Sequence, residues 1–392
     1  MQYRLDEKSG NKLSTLGLGC MRLPGGFGRI DMQKSEALIM HAIEKGVNFF
    51  DTAYIYPGSE VALGTILEKN NARKNVYIGT KLPLFKCRTY EDFDKLFNEQ
   101  LQRLKTDYID YYFMHNLPGL ADWNRVCELG IEKWIAEKKA EGKIKQLGFS
   151  FHGLKKQFVK LIDSYDWDFC MIQYNYININ YQAGRDGLKY AHSKGMPVFI
   201  MEPLLGGLLV NDLPPAAMSL LKQSNPNITA ASWALRWIWN HNEPTMLLSG
   251  MSDLSQLDEN LALAEKSEPE CMTEDELKVI EKVAEIFQES YKIPCTGCNY
   301  CLPCPKGINI PDSFLAYNAS YTISRFARIM QYATTTGGFN TTFSLYDCTK
   351  CGHCEKHCPQ NIAIVERILE VRKRMEPFWY RAGIKIANKF MK

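Results

Sequence analysis

Short apolar runs alternate with amphipathic stretches through about the first 270 residues of the chain. Runs of strand length bounded by turn residues, separated by stretches with apolar positions three and four apart, predict strands and helices alternating around a parallel sheet. Eight runs read as strands: Thr15–Arg22, Asn48–Ala53, Val76–Lys81, Ile109–His115, Ile144–Ser150, Phe169–Asn175, Met196–Pro203 and Thr245–Met251. Between them, Phe93, Leu96, Phe97, Leu101 and Leu104 make one apolar helix face to lie on the sheet. Eight βα units in about 250 residues is the size of a closed (β/α)8 barrel. No Gly-x-Gly-x-x-Gly turn follows any of the runs, so a TIM-type barrel is preferred to a doubly wound dinucleotide-binding sheet.

Beyond the barrel the pattern changes. Leu277, Ile280, Val283, Ala284 and Phe287 form one face of a helix over Glu274–Glu289. The predicted organisation is a barrel over 1–270, a connecting helix over 271–290, and a small α-helical domain over 291–392 that ends in a helix. Residues Asp312 to Asp347 predict a helical insertion (Phe314 to Tyr332) and a Thr/Gly-rich loop around Thr334 to Thr342.

That small domain carries the most telling residues of the chain. Eight of the thirteen cysteines fall in two runs: Cys295, Cys298, Cys301 and Cys304 before Pro305, then Cys348, Cys351, Cys354 and Cys358 before Pro359. A cubane iron–sulfur cluster needs four thiolates, and a loop with Cys at every third position supplies three. In bacterial two-cluster ferredoxins the fourth comes from the other run. That rule assigns Cys295, Cys298, Cys301 and Cys358 to one [4Fe–4S] cluster, and Cys348, Cys351, Cys354 and Cys304 to a second. The first run is one residue short of ferredoxin spacing before Cys304. Structural zinc usually takes two cysteine pairs a dozen or more residues apart, and disulfides need an oxidising compartment; neither matches these runs as well. Cys20, Cys87, Cys127, Cys170 and Cys271 are scattered and read as reduced packing thiols.

Composition narrows the rest. The chain has 392 residues, 45% of them hydrophobic, which suffices for one large core and a small one. A net charge of +3 gives no case for nucleic acid. The N-terminus carries Arg4, Asp6, Glu7 and Lys8 without an apolar leader, and no stretch spans a bilayer, so a cytoplasmic protein is expected. At the C-terminus Arg381, Lys385, Lys389 and Lys392 interleave with Phe378, Trp379, Ile386 and Phe390. That pattern fits a helix docked on its own domain, or one meeting a membrane surface or a partner.

In a barrel, chemistry sits where strands end, and Asp51, Lys81 and His115 close consecutive predicted strands with Tyr56 five residues past Asp51. Singly, each could be a cap, a solvated cation or a core histidine. Together with Gly17-Leu18-Gly19, Asp51-Thr52-Ala53 and Gly148-Phe149-Ser150, they resemble the aldo-keto reductase family over about the first 265 residues. The resemblance implies reduction of a small carbonyl compound, or oxidation of the alcohol, with Tyr56 as proton donor. Lys81 would favour the phenolate, Asp51 would hold Lys81, and His115 would orient the carbonyl. It also implies a nicotinamide cofactor across the barrel mouth, NAD or NADP. Gly19, Cys20 and Met21 match its first loop, Ser150 and Gln173 its amide contacts, and Pro203, Leu204 and Gly206 its pyrophosphate loop. Gly250, Ser252, Gln256, Glu259 and Asn260 match the adenosine segment.

Three positions depart from that pattern. Met201 replaces the usual stacking aromatic, Phe151 stands where Asn is common, and no Lys or Arg lies between Gly250 and Gln256 to meet a 2′-phosphate. A flavin therefore stays open as an alternative occupant. Barrel plus cysteine module resembles an iron–sulfur branch of the same family. Nicotinamide passes a hydride and each cluster a single electron, so the module either feeds the barrel, docks a redox partner protein or is structural. The competing reading is an electron-transfer protein with an idle barrel.

Overall fold

The computed structural model describes residues 1–25, 29–153, 155–321, 326, 328–329, 332 and 344–390, the last six of these as backbone alone. An antiparallel hairpin, β1 (Tyr3–Leu5) and β2 (Lys12–Ser14), opens the chain. Eight parallel strands follow: β3 (Leu16–Gly19), β4 (Phe49–Asp51), β5 (Tyr77–Leu82), β6 (Ile109–Leu117), β7 (Ile144–Phe151), β8 (Phe169–Gln173), β9 (Val198–Met201) and β10 (Met246–Ser249). They close in the order β10-β3-β4-β5-β6-β7-β8-β9, each within one of the expected runs or overrunning its end by a residue or two.

Aromatic rings fill the barrel. Phe49 meets Tyr111 and Phe199, each with centroids 5.2 Å apart, and Phe113 meets Phe169 at 4.6 Å. Gly79 is small because this layer is full: a Cβ there would lie 2.9 Å from the Phe49 ring. The N-terminal end is sealed by the hairpin turn, where buried Asp6 accepts hydrogen bonds from Tyr111 Oη at 2.8 Å and Ser9 Oγ at 2.6 Å. The C-terminal strand ends are left as the place for chemistry. On the helix Tyr90–Leu104, Phe93, Leu96, Phe97 and Leu104 are buried as expected, but Leu101 is half-buried and Gln100 takes an inward position.

The chain divides into two compact units: 1–204 with 232–274, and 205–231 with 275–392. The segment after β9, with helices Leu208–Asn211 and Pro215–Ser224, therefore groups with the cysteine module, which hydrophobic periodicity did not announce. Within that second unit Asp212 lies near Arg328 and Tyr291. Ile280, Val283 and Phe287 are buried on the helix Glu274–Ser290, and the core around the cysteine runs is built by the helices Ile310–Ala319 and Ile364–Met375. Ile308, Phe314, Ile368 and Val371 pack there with Cys301 and Cys354. The expected insertion begins as the helix Ile310–Ala319; most of its continuation to Tyr332, and the Thr334 to Thr342 loop, lie outside the described residues. No described helix is long and apolar enough to cross a membrane.

Two buried polar side chains fix the approaches to the cysteine runs. Asn318 Oδ1 accepts from the Lys292 and Ile293 amides at 3.1 and 2.9 Å, and its Nδ2 donates to the Ile293 carbonyl at 2.7 Å. Glu376 Oε1 accepts from Tyr332 Oη at 2.7 Å and the Leu345 amide at 3.0 Å, three residues before Cys348. Asn318→Ala leaves these Lys292 and Ile293 backbone groups without their side-chain partner, at about 1–3 kcal/mol for a buried group. Cluster absorbance should then be lost at lower denaturant while the fluorescence transition of the barrel tryptophans stays put. A coincident shift of both would contradict this.

Candidate active site

Register places the first pair. Asp51 pairs with Gly79, and Lys81, two residues further along β5, points to the same side as Gly79. Lys81 Nζ lies 2.5 Å from Asp51 Oδ1 and 2.7 Å from the Thr52 carbonyl. Lys81 is 2% exposed and Asp51 6%. Burial pushes the Asp51 carboxyl up and the Lys81 ammonium down, and their mutual attraction opposes both changes. Each is the other's counter-ion in a dry setting.

Tyr56 arrives on the turn after β4. Its amide bonds the Ala53 carbonyl at 3.0 Å, and Gly58, at φ 75°, turns the chain into the helix Ser59–Lys69. Ser59 Oγ accepts from Thr52 Oγ1 at 2.7 Å and donates to the Cys20 carbonyl at 2.8 Å, tying the turn to the end of β3. The Tyr56 ring is thereby held with its centroid 5.1 Å from Lys81 Nζ and 6.3 Å from the His115 ring, edge to face.

His115 owes its aim to a bulge. Pairing between β6 and β7 is regular to Met114, then shifts before Leu117, with Asn116 at φ 55°. The freed Asn116 amide donates to Ser150 Oγ at 2.8 Å. Bulges redirect side chains, and this one lies at the strand ends. His115 is 5% exposed, and burial first, then the charges of Lys81 and His152, hold its pKa well below the usual histidine range. It is a neutral imidazole at neutral pH. The four residues singled out in the sequence thus converge.

Sequence reasoning missed two supports. His152, buried just past β7, is close enough to His115 to act on its charge. Outside β5, buried Glu60 accepts from Thr80 Oγ1 and Gln100 Nε2, both at 2.7 Å, while Gln100 Nε2 also reaches the Lys81 carbonyl at 3.1 Å. This network clamps the strand that carries Lys81. The signal was Gln100 itself, a polar residue at an inward helix position.

In the chain, the cofactor candidates fall at, near or after the ends of β3, β7, β8, β9 and β10. Gly19 closes β3, and Cys20 and Met21 form a short turn in which Cys20 is buried and its thiol pushed up by burial. Gln173 at the end of β8 is buried, with neither amide atom hydrogen-bonded among the described residues. Met201 closes β9, Pro203 is buried, Leu204 half-buried, and Gly206, at φ 68°, belongs to the other unit. On the segment after β10, Gln256 and Asn260 do not share one contact. Exposed Gln256 accepts from the Ser252 amide at 3.0 Å, whereas buried Asn260 donates to Ser249 Oγ at 3.2 Å. Gly250 and Ser252 are exposed, and Glu259 is half-buried beside Ser232.

In the second unit, a cavity is lined by Cys301, Cys304, Cys348, Cys351 and Cys354. Burial raises the Cys301 thiol, as do nearby Cys295, Cys298 and, from the second run, Cys358. Both runs therefore contribute to both groupings.

Residues 15–285 match the model of the aldo/keto reductase family, and residues 294–363 match that of a 4Fe-4S dicluster domain. The chain belongs to the aldo/keto reductase family. It is an oxidoreductase of that family with an appended iron–sulfur domain. It is similar to L-galactose dehydrogenase of Arabidopsis thaliana, 29% identical over 73% of this chain and 95% of that protein. The NADH-specific methylglyoxal reductase of Escherichia coli strain K12 is 27% identical over 64% of this chain and 89% of its own length. Among solved structures, the holo form of an aldo-keto reductase from Bacillus halodurans superposes with a TM-score of 0.60 at 24% identity, covering 72% of this chain and 96% of that one. An aldo-keto reductase from Klebsiella pneumoniae in complex with NADPH gives 0.59 at 20%, over 72% and 95%.

In this family member the ion pair should reveal itself by a double-mutant cycle. Lys81→Met leaves Asp51 buried and unpaired, so unfolding should be easier by about 3–5 kcal/mol. Adding Asp51→Asn to it should recover a large part of that loss. Additive losses in denaturant titrations would show that the two do not act as a pair.

Proposed function

We propose that this oxidoreductase reduces a small carbonyl compound, or oxidises the corresponding alcohol, at the mouth of the barrel with a nicotinamide cofactor. In the same reading, two [4Fe–4S] clusters in the C-terminal unit exchange single electrons with a redox partner. The observation that carries the barrel reading is the convergence of Tyr56, His115 and the buried Asp51–Lys81 pair at adjacent strand ends. A bound nicotinamide supplies the hydride. The chain supplies the proton: Tyr56 Oη protonates the carbonyl oxygen as negative charge develops there. Lys81, kept charged by Asp51, sets the potential around the phenol, and the neutral His115 orients the carbonyl by a hydrogen bond without adding charge.

The residues present fit these groups. The buried Gln173 amide, without a hydrogen-bond partner among the described residues, and the Ser150 hydroxyl are suited to a nicotinamide carboxamide, which offers both a donor and an acceptor. Gly19, Cys20, Met21, Met201, Pro203 and Leu204, with Gly250, Ser252, Gln256, Glu259 and Asn260, would complete its cradle. The thiol groupings support Cys295, Cys298, Cys301 and Cys358 as ligands of one cluster and Cys304, Cys348, Cys351 and Cys354 as those of the other.

Tyr56→Phe removes the donor while keeping the ring, so carbonyl reduction should fall by at least about a hundredfold with cofactor affinity retained. Unchanged turnover would refute this chemistry. Protein reconstituted without oxygen should hold about eight irons per chain. Stoichiometric zinc in place of iron would contradict the cluster assignment.

A further inference from the structure

Two residues before Cys348, the exposed ring of Tyr346 carries two arginines. The guanidinium carbon of Arg372 lies 4.6 Å from its centroid and that of Arg381 4.2 Å. The Nε of each is shielded from solvent and has no acceptor among the described residues, and neither arginine forms an ion pair among them. The neighbouring acids are committed elsewhere: Asp347 Oδ2 accepts from the Ser344 amide at 2.6 Å, and buried Glu376 binds Tyr332 and Leu345. Two like charges fixed over one ring, with no carboxylate paired to either among the described residues, are arranged to receive anions.

The surroundings extend this into a surface. Arg381 lies on the helix Phe378–Phe390, where Phe378, three residues back on the same face, is 80% exposed and Trp379 48%. The Trp379 ring lies 5.9 Å from that of Phe326, itself 63% exposed. Tyr, Trp and Arg are the residues on which interface energy concentrates. Chain connectivity sets the patch beside the second cysteine run, whose Cys351 is exposed.

We propose that Tyr346, Arg372 and Arg381, with Phe378 and Trp379, form the docking surface for an acidic one-electron carrier protein. Its surface carboxylates pair with the two guanidiniums while it serves the cluster held in part by Cys348 and Cys351. This rests on the reading that the clusters exchange electrons with a partner. In the transfer the reduced carrier loses one electron and the oxidised cluster gains it; no bond forms or breaks and no proton moves. An anionic bilayer would also attract arginine and tryptophan, but stacking pins both guanidiniums at one point, which suits discrete carboxylates.

The test uses oxygen-free holoprotein and two donors, a reduced acidic [2Fe–2S] ferredoxin and reduced methyl viologen, with cluster bleaching followed by stopped flow. For wild type, the ferredoxin rate constant should fall steeply as salt is raised. In Arg372→Gln/Arg381→Gln it should be about tenfold lower at low salt and nearly salt-independent, with the viologen rate not reduced. Ferredoxin affinity by titration calorimetry should weaken by a similar factor. Arg372→Lys/Arg381→Lys, which keeps both charges, should retain most of the rate. A wild-type ferredoxin rate indifferent to salt overturns the proposal whatever happens to the variants, as do equal affinities in wild type and the Gln variant. Binding to phosphatidylserine vesicles that is stronger than ferredoxin binding, and lost in the same variant, overturns it in favour of a membrane surface. Clusters that neither donor reduces would refute the electron-exchange reading, while the calorimetric titration still decides the docking surface.

Discussion

The ion pair between Asp51 and Lys81 is the constraint on which the barrel mouth depends. Both side chains are buried, and burial favours neutral forms of both, so the ammonium persists because a carboxylate stands 2.5 Å away. Such a pair is a poor source of net stability, since desolvation offsets most of its attraction. Its value is positional. It fixes a cation 5.1 Å from the Tyr56 ring and helps keep His115 neutral. The Glu60–Gln100 network outside β5 and the Thr52–Ser59 bond beneath Tyr56 hold the strand and the turn that make those distances.

The iron–sulfur unit solves a different problem. A small helical domain cannot enclose a large core, and here buried side chains such as Asn318 and Glu376 fix the loops that present the thiols. The segment 205–231, which begins a few residues after β9, groups with this unit. Leu205 takes a positive φ there, 49°, a backbone strain that tends to accompany functional sites, while Gly206 and Gly207, at 68° and 97°, occupy that region without penalty.

Much of this was legible in the sequence because barrel strands are short, apolar and regularly spaced, and because Asp51, Lys81 and His115 each sit at or near the end of one. The cysteine spacing was legible for a similar reason, since a cluster dictates its own loop. What escaped reading depends on contacts distant in the chain. Gln100 bridges Glu60 and the Lys81 carbonyl only because the fold brings its helix against β5. The bulge at His115 and Asn116 arises from pairing with β7, which periodicity within β6 does not encode. Gln256 and Asn260 share a face by spacing, yet Asn260 is drawn inward by Ser249 while Gln256 closes on Ser252.

On the proposed function, the barrel runs hydride chemistry with a proton from the chain, and the clusters act outside that step. Its most direct test is isotopic: a small aldehyde reduced by nicotinamide carrying deuterium at the transferring carbon, in wild type and in Cys351→Ser. Deuterium should be retained at the product's carbinol carbon to the same extent in both proteins. Deuterium lost to solvent, or retained only when the clusters are intact, would contradict it.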